Sequence, residues 1–166
     1  MAFHEDLLEQ AQHLARRERQ RPTQASLRRA VSTAYYALFH LLISETTKNW
    51  KRRAERNTLA RMFEHAQMSR VRAGKRDQLN TFFNTHPPAG PEVEVSKHLQ
   101  FVARTFVQML QDRQTADYDN STSWTRTDAL AAVKLVKTAF ERWSIIRKEP
   151  SAQNFLVTLL LRECKL

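Results

Sequence analysis

Residues 30–43, Ala-Val-Ser-Thr-Ala-Tyr-Tyr-Ala-Leu-Phe-His-Leu-Leu-Ile, constrain this chain more than any other stretch. Read at helical spacing, Leu27, Val31, Ala34, Leu38 and Leu41 fall on one face. Tyr35, Tyr36, Phe39, Leu42 and Ile43 make the remaining faces apolar as well. A helix that is apolar nearly all round has no face to give to water and belongs at the centre of a bundle. Ala30, Ala34 and Ala37 let neighbouring helices approach it closely. Only two glycines occur in 166 residues. A β-sandwich or a Gly-rich phosphate loop needs more positions at positive φ than that. The expected fold is therefore all-α: an antiparallel bundle of four to five core helices with additional short helices, forming one domain over residues 1–166.

The flanking sequence supplies the other helices. Leu7, Leu8, Ala11, Leu14 and Ala15 predict a helix over 4–18, ended by Arg21-Pro22 because proline disfavours helical geometry in the residue before it. The central helix runs from about Thr23 to Lys48, with Thr23 or Ser26 as its cap. A third helix over 54–72 buries Leu59, Met62, Phe63 and Ala66, and a short one over 76–84 buries Leu79, Phe82 and Phe83. Residues 85–91 hold three prolines and a glycine and form a loop. Val95, Leu99, Val102, Phe106 and Leu110 predict a helix over 92–116, with Arg113 on the same stripe. Thr125-x-x-Asp128 resembles a capping box opening the next helix. That helix carries Ala129, Val133, Val136, Phe140 and Trp143 on one face. After Pro150 an apolar extension, 150–166, includes Phe155 to Leu161 and needs burial on this bundle or on a second copy.

The net charge of +10 is uneven. Residues 16–29 hold six arginines against Glu18, and residues 48–77 hold ten basic residues against three acids, leaving the rest of the chain at −2. Concentrated positive charge captures polyanions, so phosphate-bearing partners are favoured over neutral ones, with a solvated cationic surface as the plain alternative. No apolar run approaches the ~18 residues of a membrane span, and no signal-peptide core is expected at the N-terminus. The single cysteine, Cys164, suits a reducing cytosol. His-Glu-x-x-His, paired Cys-x-x-Cys, Walker-type and Gly-x-Ser-x-Gly motifs are missing from the sequence, so no metal or cofactor is expected.

Two constellations carry chemistry. Arg29, Tyr35, Tyr36 and His40 lie on the central helix, where Tyr36 and His40, at i and i+4, share a face and either line a pocket or pack in the core. His65 is a further candidate for that pocket. The second constellation is Arg113-Gln-Thr-Ala-Asp117-Tyr118. A guanidinium at the end of an apolar stripe is costly to bury unpaired, and Asp117 at i+4 is its partner if the helix persists that far. Arg113 then either fixes the helix end, binds phosphate, or does both.

At these residues the chain resembles the HEPN superfamily of all-α bundles. Arg29-Ala-Val-Ser-Thr-Ala-Tyr-Tyr-Ala-Leu-Phe-His40 is similar to that family's central-helix pattern. Arg113-x-x-Ala-Asp-Tyr118 is similar to the block before its last core helix. The resemblance spans about residues 4–148. It implies binding of RNA or a nucleotide, a homodimer, and a place in a toxin–antitoxin or defence system beside a nucleotidyltransferase-like partner protein. Active members of the family are metal-independent ribonucleases with an Arg-x(4–6)-His motif. Here Tyr118 stands where the shortest such spacing would put histidine, and Arg61 precedes His65 by one residue too few.

Three functions are therefore carried forward. The first is a cytoplasmic RNA- or nucleotide-binding protein using Arg29, Lys51, Arg52, Arg53, Arg56 and Arg113. The second is a ribonuclease toxin whose catalytic candidates are Arg113, Asp117, Tyr118 and His40. Histidine titrates near neutrality and suits deprotonation of a 2′-hydroxyl, while arginine suits the phosphorane charge. Tyrosine is a weak base at neutral pH, so whether the chain is an enzyme stays open. The third function is an assembly subunit that docks through the C-terminal extension.

Overall fold

The computed structural model describes residues 2–48 and 92–161, and all regular structure among them is helical. The predicted helices over 54–72 and 76–84 and the 85–91 loop fall outside the described residues. So do Lys51, Arg52, Arg53, Arg56, His65 and Cys164. The described helices are α1 (Phe3–Arg16), α2 (Gln24–Lys48), α3 (Glu92–Tyr118), α4 (Arg126–Ile146) and α5 (Pro150–Leu161). None of them is long and apolar enough to cross a membrane.

Local chemistry sets the ends. The Glu5 carboxylate reaches back to accept from the Ala2 N–H at 2.8 Å, and Glu5 and Asp6 place negative charge at the positive end of α1. Thr23 caps α2, its Oγ1 accepting from the Ser26 N–H at 3.2 Å. The Thr125–Asp128 box forms in both directions. Thr125 N–H donates to the Asp128 carboxylate at 2.9 Å, and Asp128 N–H donates to Thr125 Oγ1 at 3.2 Å. α1 stops two residues short of the expected boundary, and α3 runs two residues past it. The second difference brings Asp117 onto the same helical face as Arg113.

The chain divides into two compact units. The first comprises Met1–Leu41 and Phe101–Arg142. Contacts within it define an up-and-down bundle. Along α2 and α3 the pairs are Arg28 with Ala116, Ser32 with Asp117 and Tyr36 with Arg113, so these helices are antiparallel. α1 is antiparallel to α4, with His4 beside Phe140 at one end and Arg126 bonded to the Glu18 and Arg19 carbonyls at the other. Ala30, Val31, Ala34, Ala37 and Leu38 of α2 are completely buried, as the pattern demanded. The stripe through Arg29, Tyr36 and His40 is where α2 opens, with Arg29 exposed and the two rings half-buried. On α1 it is Ala11 and Ala15 that are buried, while Leu7, Leu8 and Leu14 are only half-covered. On α3, Met109 takes the fully buried position next to the predicted Leu110, which is half-buried.

The second unit comprises Leu42–Gln100 and Trp143–Leu166, described over 42–48, 92–100 and 143–161. Leu42, Trp143, Ile146, Phe155 and Leu156 are each no more than 2% exposed, so the start of the C-terminal extension is built into this unit's core. Trp143 and Phe155 lie with ring centroids 6.5 Å apart. Glu45, 5% exposed, is held by Arg147 at 2.9 Å and by Lys48 at 2.5 Å, so the acid is buried with paired charge.

Candidate functional site

Within the first unit the two constellations meet. Arg113 Nη2 donates to the Tyr36 hydroxyl at 3.0 Å. Arg113 Nε lies 2.8 Å from Asp117 Oδ2, an ion pair by distance whose N–H is not aligned for a hydrogen bond. The other oxygen of Asp117 accepts from Ser32 Oγ at 2.6 Å. Ser32 and Tyr36 are one turn apart on α2, and Arg113 and Asp117 are one turn apart on α3. Four side chains thus close a polar rectangle between two antiparallel helices. Ser32 is completely buried, and the Arg113 side chain is 11% exposed.

An arginine so covered needs compensation. Burial works to lower the Arg113 pKa, but the oxygens of Tyr36, Asp117 and Tyr118 outweigh it, and the guanidinium is held above its ordinary range. Its carbon lies 5.6 Å from the ring centres of both Tyr36 and Tyr118. Against Tyr36 the hydrogen bond puts it at the hydroxyl edge rather than over the ring face. Tyr118 is 71% exposed, one of the largest open apolar surfaces in the unit. Behind Tyr36, Tyr35 packs against Phe39 and Phe106, with centroids 5.8 and 5.9 Å away. Tyr35 is 3% exposed, and that burial drives its phenol far above the usual range, so it stays protonated in the core.

The remaining candidates separate from this rectangle. The His40 ring meets Phe3 edge-on at 4.8 Å and Phe39 at 5.4 Å, placing it against α1 while Tyr36 faces α3. Arg29 is exposed at the open stripe of α2. Its neighbour Arg28, which the sequence did not single out, reaches α3. Arg28 Nη1 donates to the Ala116 and Asp119 carbonyls at 2.9 Å each, and Nη2 donates to the Thr122 carbonyl at 2.6 Å. Ser32 was missed as well. Among the described residues no group of three or more His, Cys, Asp or Glu side chains is placed to hold a metal ion.

Chemically, the rectangle presents donors. The Tyr36 oxygen accepts from Arg113, which leaves its own hydrogen to donate. Arg113 Nη1 takes part in none of the bonds among the described residues. A hydroxyl and a guanidinium edge side by side suit an oxyanion such as phosphate. No protein-family model, curated protein or solved structure matches this chain.

Proposed function

We propose that this chain is a HEPN-like protein that binds RNA or a nucleotide through its phosphates, with Arg113 and Tyr36 as the positioned contact. The observation carrying this reading is the rectangle. The two segments that carry the family resemblance, 77 residues apart at Tyr36 and Arg113, meet there and leave two donors on one edge. The net charge of +10 supports a polyanionic ligand. A homodimer working beside a nucleotidyltransferase-like partner belongs to the same proposal. The test is titration of a labelled single-stranded RNA and a labelled adenine nucleotide across a salt series. Arg113→Ala is expected to weaken binding roughly tenfold or more. Converting Lys51, Arg52, Arg53 and Arg56 to glutamine is expected to lower the salt slope by roughly 3. Affinity unchanged by either variant and by salt would sink the proposal.

Metal-independent RNA cleavage is the second reading, favoured by the Tyr36 hydroxyl lying against a guanidinium. Its measure is cleavage by the purified protein in excess chelator, abolished in Arg113→Ala. Intact RNA under those conditions removes it and leaves the binding proposal standing.

A further inference from the structure

Asp117 neutralises Arg113, so the long-range attraction for a polyanion has to come from elsewhere. The loop end of the first unit supplies it. Here the end of α1, the start of α2, the end of α3 and the start of α4 come together, tied by Gln24 to both the N–H and the carbonyl of Trp124 and by Arg28 to the 116–122 carbonyls.

The acids and the arginines of this end are treated differently. Glu18 Oε1 accepts from Ser26 Oγ at 2.7 Å, and its Oε2 is buried. The bond from Ser26 holds its carboxyl below the usual range despite the burial. Asp119 accepts from Ser121 and Thr122, which hold its pKa at about 2. Asp128 caps α4, and Asp117 sits in the rectangle. Each carboxylate is thus tied to a capping, turn or helix-bridging bond. Arg16, Arg17, Arg19 and Arg21 are all exposed, and their guanidinium groups pair with nothing among the described residues. The negative end of α1 accounts for Arg16 and Arg17. It does not account for Arg19 and Arg21, which lie past that end. The backbone bearing these arginines is itself clamped. Arg126 donates to the Arg19 carbonyl at 2.8 Å and to the Glu18 carbonyl. Cations beside a backbone held at 18 and 19 lose less ordering entropy on binding than cations on a mobile one.

Tyr118 opens at this same end, at the last residue of α3, and is 71% exposed. Unpaired strands are held by a basic groove for the backbone together with aromatic rings for the bases. Resting on the proposed phosphate binding at Arg113, we infer that the ligand is a single RNA strand, its backbone held by Arg16, Arg17, Arg19 and Arg21 and one base stacked on Tyr118.

The experiment uses the full chain and a short labelled oligoribonucleotide, offered single-stranded and as a duplex with its complement. Glutamine at all four arginines is expected to lower the single-strand salt slope by roughly 3, whereas lysine at all four keeps it and serves as the folding control. Tyr118→Ala is expected to weaken single-strand binding about tenfold, and Tyr118→Phe to restore it. If the glutamine variant keeps the wild-type slope while Arg113→Ala still loses affinity, this inference fails and the proposed function survives. Equal affinity for duplex and single strand, with no effect of Tyr118→Ala, overturns the single-strand assignment. Wild-type protein that binds neither form overturns the reading beneath it.

Discussion

Arg28 and Arg113 each cross between α2 and α3, from opposite sides, yet they are held in opposite ways. Arg28 gives all of its contacts to backbone carbonyls at 116, 119 and 122. Those carbonyls lie at and beyond the last turn of α3, where helical partners run out, so the arginine finishes the helix and fixes the following turn. Arg113 instead touches side chains, Tyr36 and Asp117, and keeps an edge of its guanidinium out of those bonds. A cation bound to backbone acceptors is a fastener. A cation bound to other side chains is aimed by them, and its remaining donors are not spent on the backbone.

The largest effect expected from breaking this contrast is at Arg28. Arg28→Ala strands three carbonyls in a half-buried turn and should cost about 2–3 kcal/mol in urea unfolding, with faster amide exchange over 119–124. RNA affinity measured well below the melting point should hardly move. A stability loss under about 0.5 kcal/mol, the range of ordinary surface changes, would mean that Arg28 is not a fastener. Tyr36→Phe should cost about 1 kcal/mol, and a double-mutant cycle with Arg113→Met should show coupling of similar size. Additive losses would mean that the Arg113–Tyr36 bond contributes nothing net. The smallest effect is at Asp119, whose pKa of about 2 lies below the ordinary aspartate value. Its stabilisation is present above the unfolded-state pKa of about 4 and is lost as pH falls towards 2. The melting-temperature difference between wild type and Asp119→Asn should therefore be constant near neutrality and close below pH ~4.

Much of the fold was written in periodicity. The all-round apolar run of α2, the Thr125–Asp128 box and the Arg113–Asp117 pair are all local, repeating within one or two turns, and each is found in place. What could not be read was the rotation of one helix relative to the next. Arg28 and Arg29 are adjacent and chemically identical, and only the phase of α2 against the end of α3 decides which is the fastener. Ser32 is a commonplace helix residue until Asp117, 85 positions later, arrives beside it. On α1 the expected stripe of Leu7, Leu8, Ala11, Leu14 and Ala15 is the inward face, but it is not evenly covered. Its alanines, Ala11 and Ala15, are pressed inward furthest and its leucines only half-covered, because close helix approach selects small side chains over large ones.

That last preference reaches further on α2. Ala30, Ala34 and Ala37 have no exposed surface at all. Helix axes separated by methyl groups sit near the lower end of the usual 8–10 Å range. The three alanines lie on the side of α2 turned away from Arg28, Ser32 and Tyr36, so they act as shims behind the helix and not in the seam with α3. A bulkier residue at Ala34 would open the packing behind α2 and leave the 3.0 Å bond between Tyr36 and Arg113 in place. The back of the helix tolerates least, and the Tyr36–Arg113 contact sits on its other side.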